Sequence, residues 1–327
     1  EPAWDALPDM LRHVRLTGAV FFDVEARAPW VADAPPARDI AGFVMPESQS
    51  VIAYHVVASG SCWVEIVGEG SQPRLLRAGT VVLFPQGDPH VLSSEPGMRA
   101  EFDPTVLEEP RPEDIAPFLL TRNSEGPEGA RLICGFLGCD SQPFNPLLQA
   151  LPRMLVVSDG YRANDGWLRN LIDASAAEIR RARTGGRSVL SRLSELIFIE
   201  AVRCYADDLP DDAVGWLAAL RDPRVGRAIG LLHEHPTRPW TLAKLARGTG
   251  VSRTVLSESF KASVGMSPMA YLASWRMQLA AALMARSDIP IASIAAEVGY
   301  GSEAAFGRAF KRCTGMSPAA WRAAQSA

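Results

Sequence analysis

The C-terminal part of the sequence contains two similar twelve-residue segments that start 50 residues apart. The first copy is Phe260-Lys-Ala-Ser-Val-Gly-Met-Ser-Pro-Met-Ala-Tyr, and the second is Phe310-Lys-Arg-Cys-Thr-Gly-Met-Ser-Pro-Ala-Ala-Trp. They share Phe-Lys, Gly-Met-Ser-Pro, an alanine and a final aromatic residue. Such a repeat indicates a duplicated structural unit, so this part of the chain is expected to fold into two similar pieces.

Upstream of each copy, the pattern predicts a helix, a glycine turn and a second helix. Thr241 and Ser252 are placed to cap the two helices of the first piece, and Gly250 suits the left-handed turn between them. Gly299 and Ser302 answer Gly250 and Ser252 in the second piece, with an offset that slips by one residue inside the turn. One such pattern occurs in many protein cores, but two tandem copies favour two helix-turn-helix units.

The second copy resembles the signature of the AraC/XylS family of transcriptional regulators. The similarity lies in Gly299-Tyr-Gly-Ser-Glu-Ala-Ala-Phe-Gly-Arg-Ala-Phe-Lys-Arg, in Gly315-Met-Ser-Pro and in Trp321-Arg322. It extends over residues 222–324. The resemblance implies a sequence-specific regulator whose two second helices enter successive major grooves of promoter DNA. It also implies RNA polymerase as a partner.

A long helix is predicted between the two pieces. It runs from Pro268 to about Arg286, and at about 1.5 Å rise per residue it would span roughly 28 Å. One turn of DNA is about 34 Å long. A stiff connector of this length can therefore place two recognition helices one turn apart on one side of a duplex.

The charge is divided unevenly along the chain. Residues 222–327 hold 13 Lys and Arg against six Asp and Glu, although the whole chain has a net charge of −4. A basic segment joined to an acidic one is typical of a nucleic-acid-binding module with an acidic partner domain. Chance variation between domains is the plain alternative.

The exposed N-terminal face of each recognition helix should carry the side chains that read DNA. The expected readers are Arg253, Thr254, Ser257, Glu258, Glu303, Ala304, Gly307 and Arg308. Arg308 is the strongest candidate for a base contact, because a guanidinium can bind guanine O6 and N7 together. Its alternative roles are a phosphate contact or a solvated surface residue.

A second group of basic residues suits the DNA backbone. Phosphate contacts are expected from Lys261, Arg276, Lys311 and Arg312, and such contacts bind without reading sequence.

Family members often carry longer polar side chains where Ser257, Ala304 and Gly307 stand. Direct base readout is therefore expected to be weaker here, which leaves more of the specificity to DNA shape.

Residues from about Leu16 to Val157 predict β-structure in a sandwich or barrel, because short β-branched and aromatic runs alternate with turn residues. The segment from Gly79 to His90 resembles the second motif of the cupins, and the register of their first motif falls on His55 and Cys62. The second histidine of the usual first motif is lost, and a cysteine stands in the place of the glutamate.

These residues support several hypotheses. In one, His55, Cys62, His90 and Cys134 form a tetrahedral zinc site. In another, the histidines and cysteines are ordinary buried core residues. A third makes Cys62, Cys134 or Cys139 a redox sensor, which requires a lowered thiol pKa. A fourth leaves the domain to bind a small organic effector, as the resemblance to cupin-type sensors of the AraC/XylS family also allows.

The full prediction is a multidomain α+β chain. A cupin-like β-barrel is expected over residues 1–160, a helical connector over 161–221 and a double helix-turn-helix domain over 222–327. The connector should form a helical hairpin, which serves either as a homodimer interface or as a cover for the β-domain. Five irregularly spaced cysteines, no apolar run of membrane-spanning length and no secretory signal predict a cytoplasmic protein.

The main alternative is a cupin metal enzyme fused to a DNA-binding domain. Non-haem iron usually takes two histidines and a carboxylate with open coordination positions. The missing histidine and the cysteine at position 62 count against that set of ligands. We therefore expect a regulator and not an enzyme.

Overall fold

The structure is a computed structural model, and it describes residues 10, 16–46, 48, 50–68, 70, 72–102, 118–122, 126, 129–139, 143–158, 166–181 and 183–325. The chain divides into two compact units. The first consists of residues 15–139 and 151–208, and the second of residues 1–14, 140–150 and 209–327. The predicted boundaries after residues 160 and 221 remain predictions.

The described strands of the first unit form two sheets. Their strands are β1 (Thr17–Ala26), β2 (Val31–Ala34), β3 (Ser50–Ser59), β4 (Ser61–Ile66), β5 (Arg74–Arg77), β6 (Val81–Phe84), β7 (His90–Ser93), β8 (Phe118–Arg122), β9 (Ala130–Cys139) and β10 (Leu155–Val157). The larger sheet has the order β10-β6-β3-β9-β1-β8, and the smaller has the order β2-β7-β4-β5. β1 and β8 are parallel, while the other paired strands are antiparallel.

One hydrophobic core joins the two sheets. It contains Phe22 and Val57 from the larger sheet together with Val64 and Leu92 from the smaller one. Within the described residues, the edge strands of one sheet do not pair with those of the other. The predicted closed barrel is therefore wrong, and the sheets pack as an open sandwich. Closing a barrel would require β10 or β8 of the larger sheet to pair with β2 or β5 of the smaller one, and no such pairing links the sheets within the described residues.

The helices of the described residues are α1 (Ala37–Val44), α2 (Pro146–Ala150), α3 (Trp167–Arg181), α4 (Gly186–Asp207), α5 (Trp216–Arg221), α6 (Pro223–Glu234), α7 (Leu242–Thr249), α8 (Arg253–Val264), α9 (Pro268–Arg286), α10 (Ile291–Glu297), α11 (Glu303–Thr314) and α12 (Pro318–Gln325). Among these, α3 and α4 form the predicted hairpin in the unit that contains the sheets, whereas α5 lies in the other unit. No helix in the described ranges is both long and apolar enough to cross a membrane.

Helix α4 covers the larger sheet. The Tyr54 hydroxyl of β3 and the Ser194 hydroxyl of α4 are hydrogen-bonded at 2.6 Å. The Gly18 amide of β1 donates to Glu195 of α4 at 3.2 Å. A Cβ atom at Gly18 would lie 2.3 Å from the Ser191 carbonyl oxygen, so only glycine permits this close approach of strand and helix.

The second unit contains two successive helix pairs, α7–α8 and α10–α11. The Thr241 side chain accepts a hydrogen bond from Lys244 N, Ser252 accepts one from Val255 N, and Ser302 accepts one from Ala305 N. Gly250 and Gly299 have φ angles of 74° and 84°. The predicted caps and left-handed turn residues are therefore confirmed, and each satisfies backbone groups that a helix end leaves unpaired.

Helix α9 runs over the predicted 19 residues and joins the two pairs. Its Met277, Ala281 and Met284 pack in one core with Phe306 and Phe310 of α11. The equivalent aromatic of the first pair, Phe260, is fully buried as well. Each second helix is thus anchored by its inner face, and this anchoring decides which of its side chains face solvent.

Candidate nucleic-acid interface

The buried phenylalanines orient α8 and α11 in the same way. Leu256 and Phe260 of α8 have no exposed surface, and neither have Phe306 and Phe310 of α11. The opposite face of each helix is therefore turned to solvent. Ten of the predicted DNA contacts have side chains that are wholly or partly exposed, namely Arg253, Thr254, Ser257, Glu258, Lys261, Glu303, Ala304, Arg308, Lys311 and Arg312.

Gly307 is partly exposed on the same side of α11, and a Cβ atom there would meet no atom within 4 Å. Together with Ala304, it leaves a stretch of helix surface without protruding side chains beside Arg308. A surface without protruding side chains lets the helix backbone approach base edges closely, but it supplies few side-chain hydrogen-bonding groups.

Equivalent positions of the two helices differ in charge. Glu258 and Arg308 lie 50 residues apart at the centre of the exposed face, opposite the buried phenylalanines. A carboxylate can accept a hydrogen bond from cytosine N4, whereas a guanidinium donates to guanine. The two helices therefore present different chemistry to DNA although their folds match.

Val255 is a candidate contact that the sequence analysis missed. It lies in the first turn of α8, and 39% of its surface is exposed. An apolar side chain at this place on a recognition helix can contact the methyl group of thymine. The signal available in the sequence was a β-branched residue three positions after the Ser252 cap, where the second helix has Ala305.

Arg276 differs from the other predicted phosphate contacts because its guanidinium has partners within the protein. Its Nε donates to Pro236 O at 2.7 Å, and its Nη2 donates to Arg238 O at 3.0 Å. The side chain is half-buried, and this burial lowers the pKa of the guanidinium below its usual value. A phosphate role for Arg276 remains a prediction that this geometry does not favour.

In the first unit, two of the four predicted metal ligands are in hydrogen-bond contact, and Cys134 is paired with His55 across strands β9 and β3. His55 Nε2 of β3 and His90 Nε2 of β7 are 2.7 Å apart and share a hydrogen bond between the sheets. His90 Nδ1 lies 2.9 Å from Asp88 O, a partner that can only accept. Nδ1 of His90 therefore carries the proton, its Nε2 accepts from His55, and His55 Nδ1 is left as an unprotonated acceptor.

Burial keeps both rings neutral. It lowers the pKa of His90 to about 4, against an opposing effect of Asp88. Burial and the charge of His90 together hold the pKa of His55 well below its usual value. The His90 ring also stacks on Phe84 at a centroid distance of 3.6 Å, which fixes its plane in the core.

The predicted cysteine ligands are buried thiols. Burial raises the pKa of Cys62 to about 12, and burial together with the nearby Cys62 raises that of Cys134. Neither environment favours the thiolate that zinc binding or redox sensing requires. Cys139, the third redox candidate, is also buried in β9.

These residues as arranged do not fit a zinc site. Within the described residues there is no group of three or more His, Cys, Asp or Glu side chains that could hold a metal ion. The hydrogen bond between His55 and His90 also uses the two nitrogens that face each other. The four-ligand zinc site therefore stays a prediction, and we derive no function from it.

Comparison with known proteins gives matches over both parts of the chain. Residues 5–207 match the family described as Cupin, and residues 245–324 match the family described as Helix-turn-helix domain. The chain is 32% identical to a Streptomyces antibioticus protein named as an AraC-like transcription regulator, over 85% of this chain and 89% of that protein. It is 30% identical to the HTH-type transcriptional regulator AlkR of Acinetobacter baylyi, over 86% of this chain and 94% of AlkR.

A solved structure matches the C-terminal part. It is the C-terminal domain of AraT, a response regulator from Geobacillus stearothermophilus, with 35% sequence identity and a TM-score of 0.31. The match covers 32% of this chain and 86% of that domain.

Proposed function

This chain belongs to the AraC family of transcriptional regulators and has a cupin domain in its N-terminal part, and from that premise we propose how it binds promoter DNA. It is a DNA-binding regulator, so the enzyme alternative is not retained. In the proposal, α7–α8 and α10–α11 are two helix-turn-helix units. Helices α8 and α11 lie in successive major grooves on one side of the duplex.

The repeat is the observation that carries this proposal. Both helix pairs have the same serine cap, the same left-handed glycine turn and the same pair of buried apolar residues on the second helix. A pair that only filled a core would not need to leave the N-terminal half of its second helix exposed. Because both pairs do so, both are suited to reading DNA.

The side chains divide by chemistry into readers and anchors. Arg308, Glu258 and Val255 are assigned to base edges, where a guanidinium, a carboxylate and an apolar group favour guanine, cytosine and thymine. Lys261 and Lys311 occupy equivalent positions one turn further along their helices. We assign them to phosphates, where they add affinity without specificity.

Binding-site selection with the full chain and random duplexes tests the proposal. We expect two blocks of preferred bases with centres about 10–10.5 base pairs apart. Arg308→Ala should remove the preference within one block, whereas Arg224→Ala, an exposed arginine of α6, should leave both blocks intact. A single block in the wild type would show that only one helix pair reads DNA.

We also propose that the cupin domain senses a small effector and controls promoter binding. The supporting observation is the polar His55–His90 pair between the sheets, in which His55 Nδ1 is buried without a hydrogen-bond partner among the described residues. Effectors with a hydrogen-bond donor suit this acceptor. A thermal shift screen of small compounds on wild type and on His55→Phe tests this. An effector that binds at His55 should raise the melting temperature of wild type only, and a compound that stabilises both proteins equally binds elsewhere.

A homodimer through α4 is proposed on different grounds. Val189 and Leu196 lie two helical turns apart on α4 and are 46% and 42% exposed. Exposed apolar residues at this spacing suit a second copy of the same helix. Sedimentation of wild type and Leu196→Glu tests this, and equal monomer mass for both would contradict it.

Contact with RNA polymerase and a cytoplasmic location remain proposals that follow from the regulator family.

A further inference from the structure

Arg276 of helix α9 lies between the two helix pairs. Its guanidinium donates to the carbonyl oxygens of Pro236 and Arg238 at 2.7 and 3.0 Å. Its Cζ atom also lies 5.8 Å from the centre of the Tyr300 ring. Arg276 forms no ion pair with a carboxylate among the described residues. Its positive charge is therefore used on carbonyl dipoles and an aromatic face.

The two carbonyls belong to the loop that leads into the first helix pair. Pro236 and Arg238 lie in the loop that leads from α6 into α7. Backbone hydrogen bonds from Arg238 N to His235 O and from Trp240 N to Arg238 O hold this loop in a tight turn. The indole of Trp240 also donates to His235 O at 2.9 Å. The loop is therefore ordered by its own contacts and presents both carbonyls in a fixed position.

The aromatic ring belongs to the second helix pair. Tyr300 follows Gly299 in the turn between α10 and α11. A Cβ atom at Gly299 would lie 2.9 Å from Thr237 Cα and 3.0 Å from Arg276 Nη2. The turn of the second pair is thus in direct contact with the loop of the first, and Arg276 fills the junction between them.

From this junction we infer that Arg276 is a positioning residue that fixes the second recognition helix, α11, relative to the first, α8. A connecting helix alone sets the distance between the two units, but it leaves the units at its ends free to rotate relative to each other. The forked guanidinium bonds two carbonyls of the loop that leads into the first pair and lies near the Tyr300 ring in the turn of the second pair. A lysine ammonium has the charge without that fork.

The consequence concerns DNA with two half-sites. When two binding units are held in register, the second binds without a further ordering cost, and the affinities combine. Loosening the junction should weaken binding to a two-block operator and leave binding to a single block unchanged. It should also increase tolerance of operators in which the spacing between blocks is altered.

The inference rests on the proposed function only for its DNA experiment, and a distance measurement on the free protein tests it separately. Cys313 on α11 is exposed, while the other four cysteines are buried. Spin labels on Cys313 and on Ala262→Cys of α8 would report the separation of the two recognition helices. We expect a narrow distance distribution, unchanged by Arg224→Gln and broadened by Arg276→Gln, with Arg276→Lys in between.

The DNA experiment uses the operator found by site selection, the same duplex with one block replaced, and duplexes with one base pair added or removed between blocks. Arg276→Gln should lose about tenfold affinity for the two-block operator, equivalent to about 1.4 kcal/mol, and less than about twofold for the single block. Arg224→Gln removes the same charge from an exposed site and should change neither.

Two results would overturn the inference. One is an equal loss of affinity of Arg276→Gln for the two-block and single-block duplexes, together with a salt slope reduced by the amount expected for about one phosphate contact. That result would make Arg276 a DNA ligand. The other is an unchanged distance distribution in Arg276→Gln that circular dichroism shows to be folded. If that variant does not fold, Arg276→Lys supplies both measurements. If wild type shows no preference for two blocks, the proposed function fails while the distance result still decides the role of Arg276.

Discussion

At the scale of single residues, the same position in a repeated fold carries different chemistry. Glu258 and Arg308 occupy equivalent places on α8 and α11, and both are exposed. Since the scaffold is shared, the difference between the two half-sites must come from these side chains and from neighbours such as Val255 and Ala305. Specificity in this protein is therefore expected to be asymmetric, with a guanine contact from Arg308 at α11 and no equivalent arginine at that position of α8.

Arg308→Ala should relax the base preference at one or two positions of the α11 half-site. The loss of a bidentate guanine contact costs about 1–3 kcal/mol of binding free energy on the preferred operator. Lys311→Ala, which removes a charge one turn away on α11, should instead weaken binding to all sequences alike. Competition binding with single-base operator variants measures both effects. Identical base preferences in wild type and Arg308→Ala would refute the assignment.

The His55–His90 pair should make stability depend on pH. The pKa of His90 is about 4 in the folded state and its ordinary value is 6.5, so the unfolded chain binds a proton first as the pH falls. The free energy of unfolding is therefore highest above about pH 6.5. It falls by on the order of 3 kcal/mol between that pH and about 4, because protonation of His90 favours the unfolded chain. Melting temperatures from pH 7 to 4 measure it.

The control for the pH dependence is a pair of substitutions. His55→Gln with His90→Gln should flatten the dependence of melting temperature on pH, while His235→Gln, at an exposed site in the other unit, should leave it as in wild type. A wild-type slope that survives the double substitution would mean that other groups cause it.

At the scale of elements, local sequence signals located the helices better than the sheets. The caps at Thr241, Ser252 and Ser302 and the turn glycines follow from interactions within a few residues, so their positions could be read directly from the sequence. The barrel could not be predicted correctly, because closure depends on whether distant edge strands pair. The contact of Gly18 with Ser191 joins residues far apart in the chain and left no local signal.

Gly18→Val tests the contact between β1 and α4. Since a Cβ atom would lie 2.3 Å from the Ser191 carbonyl oxygen and 2.8 Å from Ser194 Cβ, strand and helix must separate. We expect a loss of about 1–3 kcal/mol in the free energy of unfolding. Gly42→Ala in α1 is the control, because a Cβ atom there has no neighbour within 4 Å, and it should stabilise by up to about 1 kcal/mol. Chemical denaturation compares the two variants, and an unchanged midpoint for Gly18→Val would contradict the close packing.

At the scale of the whole molecule, a chain with net charge −4 binds a polyanion because its charge is segregated. The basic residues that face solvent on α8 and α11 act within about 8 Å in physiological salt. Charges separated by more than this distance are largely screened. Local charge therefore decides DNA affinity, and net charge does not.

The affinity of the full chain for its operator should fall steeply with salt concentration. Each phosphate contact contributes about 0.9 to the slope of log K against log salt, so Lys311→Ala should reduce the magnitude of the slope by about one. Arg38→Ala removes an exposed charge from α1 in the other unit and should not change the slope. Binding titrations at several salt concentrations measure this. Equal slopes for Lys311→Ala and wild type would exclude Lys311 from the phosphate contacts.

The sequence by itself determined the repeat, the two helix pairs, the connector and most of the exposed recognition residues, because caps, glycine turns and helical periodicity are properties of short segments. Only the tertiary structure decided the partners of residues distant in sequence. Within the described residues, it placed Arg276 on Pro236, Arg238 and Tyr300, joined His55 to His90 without a third metal ligand, and left the sheets open. Each of these depends on which surfaces meet when the chain folds, and that information is absent from any short segment of sequence.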